Sequence, residues 1–119
     1  CPSLEGPLPD NGAMIALIRA STGRSPDMVL GKPQTEMLNL LLKRFGREKA
    51  ETLIIGDRLY TDIRMGAENG VDTLLVLSGE TKEESIPNER DPKGVDPIFP
   101  TFVSRSLSET LAFVLKMEA

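Results

Sequence analysis

The stretch Thr52-Leu53-Ile54-Ile55-Gly56-Asp57-Arg58-Leu59-Tyr60-Thr61-Asp62-Ile63 decides the fold. Thr52 to Ile55 is a continuous apolar run too short for a helix, broken by Gly56-Asp57, and Thr73 to Leu77 repeats the pattern after a break at Gly70. Runs that do not alternate read as strands of a parallel sheet covered on both faces. Between them, Thr61 to Asn69 reads as a short helix whose Ile63, Gly66 and Ala67 permit close packing on the sheet. The unit is strand, helix, parallel strand, right-handed by the general rule for such crossovers.

Working outward, the helix predicted from Pro33 to about Phe45 repeats its apolar residues at helical spacing (Met37, Leu41, Phe45; Leu38, Leu42) and stops at Gly46. Met28, Val29 and Leu30 precede it as a short strand, joined by the turn Gly31-Lys32-Pro33, with Pro33 as first helical residue. Further upstream, Asn11 reads as an N-cap, Ala13 to Ile18 is apolar almost all round, and Gly23 suits a helix end. A helix apolar on most faces is expected to be buried. Downstream, Gly79 to Pro100 carries four prolines and nine charged residues, and reads as surface loop with a turn of helix near Lys82 to Ser85. A last short strand, Thr101 to Val103, leads to the capping box Ser106/Glu109 and a helix from Leu107 to about Lys116.

Composition narrows the chemistry. The 119 residues carry 14 Lys and Arg against 18 Asp and Glu, a net charge of −4, with no basic stripe, and the aromatic residues are four Phe and one Tyr. Nucleic acid is therefore not expected as a partner. No apolar run approaches the roughly 18 residues that cross a bilayer, so no membrane partner is expected either. The absence of histidine removes Ser-His and Cys-His nucleophile pairs, histidine bases and the usual zinc sites, leaving carboxylates, lysine and hydroxyls. The single cysteine, Cys1, permits no internal disulfide and fits a reducing, cytoplasmic setting. The opening from Cys1 through Pro2, Pro7 and Pro9 reads as an entry loop, and the chain as a piece of something longer.

In an open parallel sheet, ligands sit beyond the carboxyl ends of the strands. Two loops with reactive side chains fall at that edge: Leu30 to Pro33, with Lys32, and Ile55 to Asp62, with Asp57 and Asp62. A lysine and two carboxylates on adjacent turns suit a hard divalent cation and a phosphate. Each also has a plainer reading: Asp57 as turn or N-cap residue, Asp62 as a complement to the helix N-terminus, Lys32 as a solvated cation. Gly31-Lys32 is not a Walker loop, since Pro26 and Pro33 stand where glycine and Ser or Thr are required, and no G-x-G-x-x-G occurs.

The ordered string Gly31-Lys32-Pro33, then Gly56-Asp57-Arg58-Leu59-Tyr60-Thr61-Asp62-Ile63, Gly66, Gly70 and Asp72 to Gly79 closely resembles the C-terminal part of the haloacid dehalogenase-like (HAD) phosphatases. More narrowly it is similar to subfamily IIA, which contains 4-nitrophenylphosphatase-like, NagD-type, phosphoglycolate and pyridoxal phosphatases. Pro9 to Arg19 resembles the segment by which that family returns from its cap domain to its core. The resemblance implies an α/β, Rossmann-like HAD core, a parallel sheet flanked by helices, of which residues 1–119 would form the C-terminal half. It implies Mg²⁺ as cofactor, Asp57 as its ligand, Lys32 as the lysine that neutralises nucleophile and phosphoryl group, and Asp62 as the acid that positions Lys32. Asn11 and Ser78 match loop positions near the site in the family. The substrate class implied is a small phosphorylated metabolite.

The departures matter as much. Members of this family attack phosphate with the first Asp of a D-x-D loop, and nothing like it occurs here: neither Asp27 nor Asp72 is followed by a second Asp two residues on. The cap domain is absent as well. The chain alone is therefore expected to lack turnover, since an aspartyl-phosphate route needs the attacking carboxylate. The alternative to a phosphatase segment is a non-catalytic module that binds metal, phosphate or a partner protein. A receiver domain is disfavoured because Lys32 precedes both acids, and a dinucleotide-binding domain because its glycine fingerprint is missing. In the family the strand equivalent to Thr52 to Ile55 pairs with the nucleophile strand, so the resemblance implies an open sheet edge here, hence a homo-oligomer, a strand exchange, a complementing N-terminal half or aggregation.

Overall fold

The computed structural model describes residues 3, 5–87 and 98–117. Helix α1 (Asn11–Thr22) is followed by α2 (Thr35–Phe45), strand β1 (Leu53–Gly56), a π-type turn (Leu59–Ile63), α3 (Arg64–Asn69), β2 (Asp72–Val76), β3 (Phe102–Ser104) and α4 (Leu107–Met117). The three strands form one parallel sheet in the order β1-β2-β3, with Ile55 opposite Leu74 and Leu74 opposite Phe102. This is the α/β architecture expected from the apolar runs.

Local chemistry sets the boundaries. Asp10, not Asn11, caps α1, accepting the Gly12 N–H at 3.0 Å, and the left-handed Gly23 and Gly46 end α1 and α2. The second helix begins at Thr35, two residues after Pro33, because Gly31 to Gln34 closes a turn of its own (Gln34 N–H to Gly31 C=O, 2.8 Å). The capping box at α4 is only half formed: Ser106 Oγ accepts the Glu109 N–H, but the Glu109 carboxylate turns to the Arg105 N–H, at 3.0 Å. The expected turn of helix near Lys82 is a 3₁₀ turn at Glu83–Ser85, and the rest of that loop from 88 to 97 lies outside the described residues.

The core lies on one side of the sheet, where Leu38 of α2, Met65 of α3 and Val71 meet, with Met37, Leu42 and Ile54 against them. Gly66 brings α3 onto β2: a Cβ there would collide with the methyl of Thr73 and lie 3.1 Å from the Val71 carbonyl. Thr73 is fixed from its other side, since the Thr73 and Thr101 backbone N–H groups each donate to the other's hydroxyl at 3.0 Å. This reciprocal pair continues the β2–β3 register by one residue.

Three expectations are corrected. Cover on both faces holds for the central strand, where Thr73, Leu74 and Leu75 are all buried, but not for its neighbours, where Leu53, Ile55 and Phe102 are about half exposed. Helix α1 buries no residue, leaving Met14, Leu17 and Ile18 in solvent. Met28 to Leu30 forms no strand, and Leu30 is 69% exposed. For α1 and for Met28 to Leu30 the cause is common: an apolar segment is buried or paired only when another element lies opposite, and none of the described elements does; over the sheet, α4 lies opposite but leaves an open groove against Leu53 and Phe102. The accessible surface is correspondingly large, 9328 Å² against roughly 6300 Å² for a compact monomer of this mass.

Gly66→Ala tests how tightly α3 is seated. Helix propensity alone favours alanine by about 1 kcal/mol, but the buried, doubly hydrogen-bonded Thr73 cannot yield, and overpacking of this kind costs about 1–3 kcal/mol. A net loss of stability in urea unfolding is expected; a gain would show that the contact is slack.

Candidate functional site

The carboxyl ends of β1 and β2 open into two turns, and the polar side chains gather there. Lys32 sits in the turn before α2, and its Nζ donates to Asp62 Oδ1 at 2.6 Å. Asp62 lies in the π-type turn after β1, whose wide backbone closes with the Ile63 N–H on the Arg58 carbonyl at 3.2 Å. Its side chain is only 7% exposed, against 47% for Lys32. A carboxylate so buried needs paired partners, and it has two, because Thr61 Oγ1 donates to Oδ2 at 3.2 Å. Gly56 makes the burial possible, since a Cβ there would overlap the Asp62 side chain.

Asp57 follows Gly56 directly and faces the neighbouring turn. Its Oδ2 accepts the Glu80 N–H at 2.9 Å and its carbonyl accepts the Thr81 N–H at 3.1 Å. Gly79 allows this approach, because a Cβ there would strike the Asp57 carboxylate. The Glu80 side chain is held in turn: Oε1 accepts the Tyr60 hydroxyl at 2.6 Å and Oε2 pairs with Arg58 Nε at 2.6 Å.

Lys32 and Asp62 are thus in contact, and Asp57 stands one residue beyond the glycine that Asp62 covers. Asn11 is the exposed first residue of α1, and Ser78 is exposed in the turn after β2. The sequence reading missed Arg58, Tyr60 and Glu80. Their meeting depends on the parallel register that sets Gly56 opposite Leu75 and so brings the two turns side by side.

Burial works against the Arg58 charge, yet Glu80, with Tyr60 and Asp57, more than offsets it and raises the guanidinium further. The hydrogen bond to Glu80 holds the proton on Tyr60 and pushes the phenol up, with burial adding to it and Arg58 opposing.

Among the described residues no three Asp, Glu or Cys side chains cluster closely enough to enclose a metal. Asp57 Oδ1 has no hydrogen bond among them, while Oδ2 is oriented by the Glu80 amide. One oriented carboxylate with a free oxygen fits Mg²⁺, which keeps several waters and takes one or two carboxylates plus phosphate oxygens. A cation that demands a full protein cage does not fit.

Comparison with known proteins bears on the same segment. The family model described as HAD-hydrolase-like matches residues 29–110. The chain is 46% identical over 78 residues to phosphoglycolate phosphatase 2 of Arabidopsis thaliana, covering 66% of this chain and 26% of that protein. It is 34% identical over 113 residues to 5'-nucleotidase YutF of Bacillus subtilis, covering 95% of this chain and 41% of the relative. The solved 4-nitrophenylphosphatase of Thermotoga maritima superposes with a TM-score of 0.77 at 40% identity, over 94% of this chain and 40% of that one. The chain therefore spans well under half the length of these relatives.

Tyr60 is the one tyrosine and there is no tryptophan, so its ultraviolet titration is read without overlap. Its midpoint is expected above the usual tyrosine range, and Glu80→Gln should bring it down. The stabilisation from this pair is complete below the ordinary tyrosine pKa and is lost as pH rises through the raised value. An unshifted midpoint in the unsubstituted chain would show that the Tyr60–Glu80 contact does not persist in solution.

Proposed function

The chain belongs to the HAD-hydrolase-like family, and on that premise we propose that it supplies the cation- and phosphate-holding part of a Mg²⁺-dependent phosphomonoesterase site acting on a small phosphorylated metabolite. The observation that carries this reading is the 2.6 Å pair of Lys32 with the buried Asp62, set beside Asp57 at the carboxyl edge of the sheet.

The geometry supports a role for each residue. Lys32 spends one of its three N–H donors on Asp62 and, half exposed, has two to offer a phosphate oxygen. Asp62 is the positioning residue, since its carboxylate is anchored and fixes where the ammonium points. Asp57 would hold Mg²⁺ through the oxygen that the Glu80 amide leaves free. When bound, Mg²⁺ supplies Lewis-acid neutralisation of phosphoryl charge. Attack on phosphorus needs a further carboxylate, and the sequence contains no two-aspartate loop to provide it. That carboxylate would come from a complementing N-terminal half, for which the open sheet face and the exposed side of α1 offer apolar surface; a homo-oligomer could cover the same surface but, having the same sequence, would not supply the carboxylate. No helix among the described residues is long and apolar enough to cross a membrane. A cytoplasmic setting is proposed on separate ground, the single cysteine, which fits a reducing compartment.

The relatives' names span phosphoglycolate, nucleotides and 4-nitrophenyl phosphate, so the proposal stops at the phosphomonoester class. The missing nucleophile also favours a second reading, a module that binds Mg²⁺ and phosphate without turnover.

Assay with 4-nitrophenyl phosphate, with and without Mg²⁺, separates the two. The 119-residue chain alone should be inactive. A polypeptide joining it to the attacking carboxylate should turn over only with Mg²⁺, with Lys32→Ala lowering kcat by about 10²–10³ and Asp57→Asn raising the Mg²⁺ concentration required. Undiminished activity in either variant would remove the site assignment, and inactivity of the joined protein would leave the binding-module reading.

A further inference from the structure

Glu80 lies outside the Lys32–Asp62 pair, yet the structure gives it three bonds, and its neighbour Thr81 a fourth, that tie this segment to the turn Asp57 begins. Its N–H reaches Asp57 Oδ2, its carboxylate takes Tyr60 Oη and Arg58 Nε, and the next N–H, of Thr81, reaches the Asp57 carbonyl. Arg58 and Tyr60 belong to the turn that Asp57 begins, so the contacts form a closed loop: the turn after β1 holds Glu80, and Glu80's backbone holds the Asp57 side chain. The loop is tight because Gly79 lets the Asp57 side chain approach its backbone to where a Cβ would not fit. Without the side-chain arms, the segment Ser78 to Thr81 would be tied to Asp57 by its two backbone N–H bonds alone.

We propose that Arg58, Tyr60 and Glu80 form a clamp whose task is to fix the Asp57 carboxylate, committing Oδ2 to the Glu80 amide and leaving Oδ1 directed at the cation. This rests on the reading of Asp57 as a Mg²⁺ ligand. Glu80 is in this sense a positioning residue, acting on the metal through the backbone and not by coordination.

The same three residues carry charge, and a purely electrostatic role makes the opposite prediction. Arg58 is a cation beside the site, so its removal would tighten cation binding if charge alone mattered, whereas loss of a clamp arm weakens it. Tyr60→Phe removes an arm with no change of charge, so an electrostatic role predicts no effect. Glu80→Gln keeps hydrogen-bonding capacity and should rescue part of what Glu80→Ala loses.

The experiment is Mn²⁺ binding to the 119-residue chain, followed by electron paramagnetic resonance, with amide exchange at Glu80 and Thr81 as an independent readout. Loss of a residue that orients a ligand typically costs 10–100-fold in metal affinity. About tenfold weaker Mn²⁺ binding is expected in Arg58→Ala, Tyr60→Phe and Glu80→Ala, with faster exchange at both amides and partial recovery in Glu80→Gln. Unchanged binding in Tyr60→Phe, or tighter binding in Arg58→Ala, overturns the clamp while leaving Asp57 as ligand. Binding of Mn²⁺ that Asp57→Asn does not weaken, or no binding at all, overturns the metal reading and the clamp with it.

Discussion

Asp62 holds a carboxylate almost wholly out of water, and much of the site follows from how that charge is satisfied. Burial of an unpaired carboxylate costs several kcal/mol. The Lys32 ammonium and the Thr61 hydroxyl meet the cost, and Lys32 comes from a turn thirty positions earlier in the chain. The pair therefore ties the turn before α2 to the end of β1, and it can do so only because Gly56 leaves room for the aspartate side chain. Removing Lys32 would strand the buried Asp62, whereas the half-exposed Lys32 would be solvated without it, so this contact offsets the burial of Asp62 and sets geometry more than it adds net stability.

From that point the polar network runs outward in steps of decreasing burial. Asp62 is enclosed, Asp57 is half-buried, and Arg58 and Glu80 keep about a third of their surface in solvent. Glycine recurs wherever two strand-ends must touch: Gly56 under Asp62, Gly79 against Asp57. The role of these glycines is close approach rather than unusual backbone angles, since neither has a positive φ. Screening by solvent weakens the outer ion pair, so that rim is held in register by the pair together with the Tyr60 hydrogen bond and the backbone N–H bonds from Glu80 and Thr81.

How much of this the sequence reveals depends on the range of the interaction. Short apolar runs bounded by glycine were enough for β1 and β2, and helical spacing for α2, because those signals are local. The meeting of Lys32 with Asp62 beside Asp57 was expected from turns placed at one sheet edge, although no strand precedes Lys32, and the family model that matches residues 29–110 agrees with the resemblance. The Glu80 clamp was not legible, because it joins residues 20 and 22 positions apart through a parallel register that no local pattern encodes. The predicted burial of α1 and pairing of Met28 to Leu30 failed for a different reason. Hydrophobicity says that a segment wants a partner, not that the partner is among the same residues.

The two sides of the sheet therefore stand in different conditions. On the α2–α3 side, Leu38, Met65 and Val71 close a small core, and Gly66 locks α3 to β2. On the other side, an open groove of about 840 Å³ runs between the sheet and α4, lined by Leu53, Leu74, Phe102 and Phe113. The site edge belongs to the closed side: Gly56 and Asp62 sit above the same packed layer as Ile54 and Thr73, while Leu53 and Ile55 point away. A polar constellation needs rigid neighbours to hold an ammonium within hydrogen-bond distance of a carboxylate, and here they are the glycine contacts and the α3 core. The Lys32–Asp62–Asp57 arrangement is consequently set by elements that are already packed, and it does not depend on what covers the apolar groove.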